Sequence, residues 1–221
     1  PLAGLGTRLL PLSSIIPKEL LPINGKSNLE HILDECIEAG IKEFIFIISK
    51  KKESIKKYFF NDQFYKSILA KKKDKRIRQS FQKLKKYQKM IKFVYQNKPR
   101  GTGDAILKSQ RLIKGSHFLM LFPDDLIIKK NCSKEMILQH KKTKGSIIAT
   151  KKVDKKTVSR WGILDFCSKK KNSFEIKNVV EKPSIKQSPS NYAIIGRYIL
   201  PVKIMKKLKN LKPGQGGEIH I

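Results

Sequence analysis

Ile91-Lys92-Phe93-Val94-Tyr95, then a polar stretch with a helical run from Asp104 to about Ile113, then Phe118-Leu119-Met120-Leu121-Phe122-Pro123-Asp124-Asp125 follow one another as strand, helix and strand. The two apolar runs are short, rich in aromatic and branched residues, and bounded by turn formers, as strands buried on both faces are. The same grammar holds upstream. Leu29, Ile32, Leu33, Cys36 and Ile37 recur at helical spacing over Leu29 to Ala39, Gly40 stands where a helix stops, and Phe44-Ile45-Phe46-Ile47-Ile48 is another continuous apolar run. Helices alternating with buried strands predict an α/β fold: a Rossmann-like, mostly parallel central sheet flanked by helices. Ligands of such a sheet sit beyond the C-terminal ends of its strands.

Outward from this core, the segment between Lys52 and Lys92 is Lys-rich with scattered Tyr, Phe, Ile and Leu. It reads as helices that pack on the sheet and expose basic sides. Beyond Asp125 the pattern changes. Ser146 to Thr150, Gly162 to Phe166, Phe174 to Val180 and Tyr192 to Leu200 read as strands, with turns at Ser168 to Ser173 and Pro183 to Pro189. Hairpins or a smaller mixed β region over the site are expected there. Pro213 to Ile221 reads as a loop entering a new element.

With 221 residues and 39% hydrophobic composition, the chain can bury one sizeable core and does not require two domains. No apolar run approaches the roughly 20 residues of a membrane-spanning helix. Cys36, Cys132 and Cys167 are odd in number, scattered and without a Cys-x-x-Cys pair, which argues against a disulfide framework or a structural zinc site and points to a reducing cytoplasm. His31, His117, His140 and His220 show no ligand spacing. The formal net charge of +31 raises the question of nucleic acid, but all but seven of the 49 basic residues are lysines, spread along the whole chain. Specific phosphate and base recognition draws heavily on Arg forks, so a solvated basic surface is the reading preferred over a nucleic-acid groove.

The chain opens Pro1-Leu2-Ala3-Gly4-Leu5-Gly6-Thr7-Arg8. A loop of this kind lets backbone N–H groups approach phosphates unobstructed, with Arg8 and, in Pro17-Lys18-Glu19-Leu20-Leu21-Pro22, Lys18 supplying positive charge. Alone it is weak, since glycine turns beside an Arg are common punctuation. Asp124 ends an apolar strand, a usual place for a metal-binding carboxylate, and Mg²⁺ needs only one or two carboxylates besides substrate oxygens. Neighbouring strand residues point to opposite sides, so Asp124 and Asp125 do not reach one ion equally. Gln96, just past the apolar run Ile91 to Tyr95, offers both a donor and an acceptor, and alone reads as a polar strand end.

Taken together, the Gly-loop, the Pro-Lys-Glu-Leu-Leu-Pro frame, Gln96 with Gly101-Thr102-Gly103, Asp124, and Val179-Val180-Glu181-Lys182-Pro183 resemble the sugar-1-phosphate nucleotidylyltransferases, in their uridylyl-transferring branch, over essentially the whole chain. The resemblance implies transfer of a uridylyl group from UTP to glucose 1-phosphate, with release of pyrophosphate and with Mg²⁺ as cofactor. It assigns Arg8, Lys18 and Lys182 to catalysis, Ala3, Gly4, Gly6, Thr7, Gln96 and Gly101 to the nucleotide, Gly162, Glu181, Asn191 and Glu218 to the sugar, and Asp124 to the metal. Asp104 and Thr102 depart from the family's usual residues, as does Gly217. Another sugar nucleotidylyltransferase, such as a thymidylyltransferase, or an idle relative therefore stays open, as does a basic nucleic-acid-binding protein. The resemblance also implies a homo-oligomer for the intact protein. It implies too that residues 1 to 221 form one domain lacking the first strand and the C-terminal part, with a poorly held Gly-loop, low stability and little activity.

Overall fold

The computed structural model describes residues 1–170, 173–214, 217–219 and 221; Lys171, Asn172, Gln215, Gly216 and His220 lie outside the described residues. After three 3₁₀ turns between Thr7 and Leu20, a small antiparallel pair, β1 (Pro22–Ile23) and β2 (Lys26–Ser27), leads into α1 (Asn28–Glu38). The helix starts where it does because Ser27 and Glu30 form a capping box: the Ser27 Oγ accepts from the Glu30 N–H, and the Glu30 carboxylate accepts from the Ser27 N–H at 3.0 Å. Its apolar stripe of Leu29, Ile32, Leu33 and Cys36 is buried.

β3 (Phe44–Ile48) follows, then α2 (Glu53–Phe60), α3 (Asp62–Lys71) and α4 (Lys75–Gln88), then β4 (Ile91–Tyr95). β3 and β4 run parallel, in register from Phe44 opposite Ile91 to Ile48 opposite Tyr95, so the three helices form the crossover that a parallel pair requires. Ile55 and Phe59 of α2 and Leu84 and Tyr87 of α4 bury against β3, while α3 buries no residue fully. The Lys-rich segment is helical, as its composition suggested.

α5 (Gly101–Ser109) leads to β5 (His117–Leu121), and α6 (Cys132–Thr143) to β6 (Ile147–Lys152). β7 (Gly162–Lys170), β8 (Ser173–Glu181) and β9 (Tyr192–Pro201) precede α7 (Ile204–Asn210). The fold is α/β. Parallel pairing among the described residues is confined to β3 and β4; β9 pairs antiparallel with β5, β6 and β7, and β7 with β8. Antiparallel pairing is what a strand-rich stretch with short turns favours, since it needs no helical crossover.

β3 and β5 are not paired with each other. Between them lies a crevice of about 510 Å³, walled by Phe44 to Ile47, by His117 to Leu121 and by Leu29, Ile32 and Leu33 of α1. The Gly-loop approaches one end of this crevice: the Leu2 N–H donates to the Ile47 carbonyl at 2.7 Å, and Leu2 is buried. This contact ties the first residues to β3, while Gly4, Leu5 and Thr7 to Leu12 are exposed. Backbone pairing to a fully buried strand end supplies the tie.

Candidate active site

Beyond the C-terminal ends of β3, β4 and β5, the loops enclose a cavity of about 530 Å³, within the range of small-molecule sites. Its wall brings together residues far apart in sequence: Ala3, Gly4 and Arg8 of the Gly-loop, Lys18, Gln96, Gly101, Asp124 and Glu218. A Cβ added to Gly4 would meet no atom within 4 Å, so packing does not demand glycine there; the bare backbone keeps that part of the cavity open. Gly6 is different. Its φ of +69° lies in the left-handed region, where a side chain is strained. Gly6 and Thr7, both assigned to the nucleotide, shape the turn and do not line the cavity.

The charged groups face one another. Lys18 Nζ lies 2.7 Å from Asp124 Oδ2, with the lysine mostly covered and the aspartate half exposed. Burial would raise the Asp124 pKa, but the Lys18 hydrogen bond and the charges of Lys18 and Arg8 hold it below the usual carboxylate value. Next to Lys18, the Glu19 carboxylate is fully buried and takes two hydrogen bonds from Lys52 Nζ, at 2.7 and 2.8 Å. That pair ties the Lys18 turn to the segment after β3. Sequence reasoning passed over Glu19 and Lys52, because 33 residues separate them and neither shows a pattern.

Gln96 is buried, and its amide nitrogen donates to the Gly101 carbonyl at 3.0 Å and to Asp104 Oδ2 at 2.8 Å. Both amide hydrogens are thereby engaged, which leaves the amide oxygen as the group to meet a ligand. Asp104, read from sequence as a departure from the family, orients the Gln96 side chain. Gly101, assigned to the nucleotide, lines the cavity, and the bare backbone at Gly101 and Gly103 also serves the fold. A Cβ at Gly101 would fall 2.4 Å from the Ile219 carbonyl oxygen, and one at Gly103 2.7 Å from Ile219 Cγ2. These glycines accommodate the chain's own Ile219, whose carbonyl accepts from the Gly103 N–H at 2.8 Å. The same contact moves the start of α5 to Gly101, ahead of the Asp104 read from sequence.

Of the sugar-side residues, Glu218 lines the cavity, while Gly162, Glu181 and Asn191 do not. Gly162 lies opposite Glu181 at the start of the β7–β8 pair, and a Cβ there would stand 3.1 Å from Glu181 Oε2. Glu181 and Lys182 form an exposed pair at 3.6 Å, and the Lys182 N–H donates to the carbonyl of Trp161, which does line the cavity. Lys182 has φ +47° immediately before Pro183, a backbone that costs about 1–3 kcal/mol for a non-glycine residue. Strain of this kind collects at functional turns. Asn191 is tied into the fold: its amide donates to the Val153 carbonyl at 3.2 Å and its own carbonyl accepts from the Val153 N–H, so it fastens β9 to the β6 exit. Among the described residues no group of three or more His, Cys, Asp or Glu side chains could cage a metal. No described helix is long and apolar enough to cross a membrane. Burial pushes the Cys36 thiol up to about 12 and that of Cys132 up to about 11, which keeps these two unreactive.

Comparison with known proteins adds independent findings. The family described as Nucleotidyl transferase matches residues 2–221. The chain is 33% identical over 225 residues to the UTP–glucose-1-phosphate uridylyltransferase of Bacillus subtilis, covering 100% of this chain and 76% of that protein. It is 35% identical over 222 residues to UTP–glucose-1-phosphate uridylyltransferase 1 of Staphylococcus saprophyticus, covering 100% and 77%. The crystal structure of a UDP-glucose pyrophosphorylase complexed with UDP-glucose superposes with a TM-score of 0.85 at 33% identity, covering 100% of this chain and 81% of that one.

Proposed function

The chain belongs to the nucleotidyl transferase family, and on that premise we propose that it transfers a uridylyl group from UTP to glucose 1-phosphate, giving UDP-glucose and pyrophosphate. The observation that carries this reading is the convergence of Arg8, Lys18, Gln96 and Asp124 on one cavity beyond the strand ends.

The reaction is an in-line displacement. A phosphate oxygen of glucose 1-phosphate attacks the α-phosphorus of UTP, the bond to the β-phosphate oxygen breaks, and pyrophosphate leaves with the electron pair. No side chain needs to act as nucleophile, which agrees with raised thiol pKa values at Cys36 and Cys132. Catalysis then consists of positioning and charge neutralisation. Arg8 and Lys18 hold the triphosphate, and the open backbone at Gly4 admits it. The Gln96 amide oxygen accepts from the imide N–H of uracil; cytosine presents no hydrogen at that ring position. Glu181 and Lys182 receive glucose 1-phosphate from the Trp161 side, Glu181 accepting from sugar hydroxyls and Lys182 facing the incoming phosphate.

A divalent cation fits this donor set through Asp124, with water or substrate oxygens completing its shell. Asp124 supplies one carboxylate, and hard cations such as Mg²⁺ bind through one or two carboxylates plus phosphate oxygens and water. Bound there, Mg²⁺ would neutralise charge developing on the phosphates.

A panel of UTP, TTP, CTP, ATP and GTP with glucose 1-phosphate, scored by pyrophosphate release, tests the reading. UTP is expected to give the highest kcat/KM; release with TTP alone, or with none, would reject it.

A further inference from the structure

The turn that carries Asp124 is held by buried groups that the reaction itself does not use. Arg197 of β9 is fully buried, and its Nη1 donates to the Phe122 carbonyl at 3.2 Å, its Nη2 to Glu35 Oε2 of α1 at 3.1 Å. The next carbonyl, that of Pro123, accepts from the buried Asn28 amide at 2.5 Å. Gly196 completes the grip: its carbonyl accepts from the Phe122 N–H at 2.8 Å, and its N–H donates to Asp125 Oδ2 at 2.8 Å. Asp125 thus spends its carboxylate on the turn. A Cβ on Gly196 would stand 2.5 Å from that oxygen and 2.6 Å from Phe122 Cβ, so β9 meets the turn without spare room.

A buried ion pair is a weak source of stability. Burying a guanidinium and a carboxylate costs several kcal/mol, and replacing such a pair by apolar residues is often neutral or stabilising. Arg197 Nε moreover has no hydrogen-bond partner among the described residues, a further cost for a buried donor. Glu35 is itself fixed, its Oε1 accepting from the Ser133 hydroxyl at 2.6 Å and from the Ser133 N–H at 3.1 Å. The chain of contacts runs from α6 through α1 and β9 to the two carbonyls before Asp124.

We propose that Arg197, abutted by Gly196, is a positioning residue that fixes the Asp124 carboxylate for a divalent cation. This rests on the reading of Asp124 as the cation's ligand. Releasing Phe122 lets the turn shift, and a displacement of about 1 Å is enough to degrade a site built on positioning.

The test is Mn²⁺ binding to the nucleotide-free protein, read from the electron paramagnetic resonance signal of the free ion, alongside melting and steady-state kinetics. The double variant Glu35→Leu with Arg197→Met removes both buried charges. It is expected to melt within a few degrees of the original while its Mn²⁺ dissociation constant rises about tenfold and kcat falls at unchanged KM for glucose 1-phosphate. Arg197→Lys keeps a charge opposite Glu35 and is expected to lose Mn²⁺ affinity severalfold, so the question is answered even if the double variant does not fold. Wild-type Mn²⁺ affinity in either folded variant overturns the proposal. Asp124→Asn separates the two ideas: unchanged Mn²⁺ binding there would mean that Asp124 is not the ligand, whatever Arg197 does.

Discussion

On the proposed reading, single side chains of this site divide into those that meet substrate and those that aim them, and mutation distinguishes the two. Lys182 is exposed and, among the described residues, its ammonium pairs with Glu181, so Lys182→Ala is expected to lower kcat about 10² to 10³-fold while the melting temperature stays within about 2 °C. Full activity in that variant would remove Lys182 from the mechanism. Lys18 differs because its ammonium sits on Asp124. In Lys18→Gln, the aspartate loses its internal cation, so Mn²⁺ binding without nucleotide should strengthen while turnover drops. Calorimetric titration with Mn²⁺ reads the first effect directly. Asp104→Ala frees one hydrogen of the Gln96 amide and should cut the preference for UTP over CTP about tenfold, seen in the ratio of their kcat/KM values. Arg8, Lys18, Gln96 and Asp124 were picked out in sequence through the family resemblance of the segments that carry them, and the structure gathers these four round one cavity. Asp104, Asp125 and Arg197 were not, because their roles exist only through contacts; Arg197 and Glu35 are 162 residues apart.

Among the secondary-structure elements, the strands read from continuous apolar runs match closely, β3 and β4 at the residues anticipated. α6 was not anticipated, and the reason is physical: only Ser133 and Met136 of its twelve residues are buried, so it carries no apolar stripe for a periodicity to reveal. The β1–β2 pair is two residues long and equally silent. Helices α1 and α4 are joined at Asp34, which accepts from Lys83 at 2.8 Å, Lys26 at 2.9 Å and the Tyr87 hydroxyl at 2.5 Å. Burial acts to raise the Asp34 pKa, but the hydrogen bonds from Lys83, Tyr87 and Lys26 bring it below its ordinary value. A depressed carboxylate stabilises the fold above its unfolded pKa of about 3.9 and loses that contribution as pH falls through the native value. Melting temperature should therefore drop from pH 6 to pH 3 less steeply in Asp34→Asn than in the original chain. Parallel curves would show that this junction adds nothing to acid sensitivity.

For the whole molecule, a formal charge of +31 on 221 residues means self-repulsion in the folded state. Raising NaCl from about 10 mM to 300 mM shortens the Debye length severalfold and should raise the melting temperature by several degrees. Any association with duplex DNA should be weak, sequence-blind and lost over the same salt range, as counterion release dictates. Tight binding that survives 300 mM salt would reopen the nucleic-acid reading. The lone tryptophan, Trp161, has a separate, practical bearing, because it stands on the wall of the cavity that gathers Arg8, Lys18, Gln96 and Asp124. Its intrinsic emission therefore reports on that cavity and needs no added dye, which makes it the natural thermometer for the melting experiments.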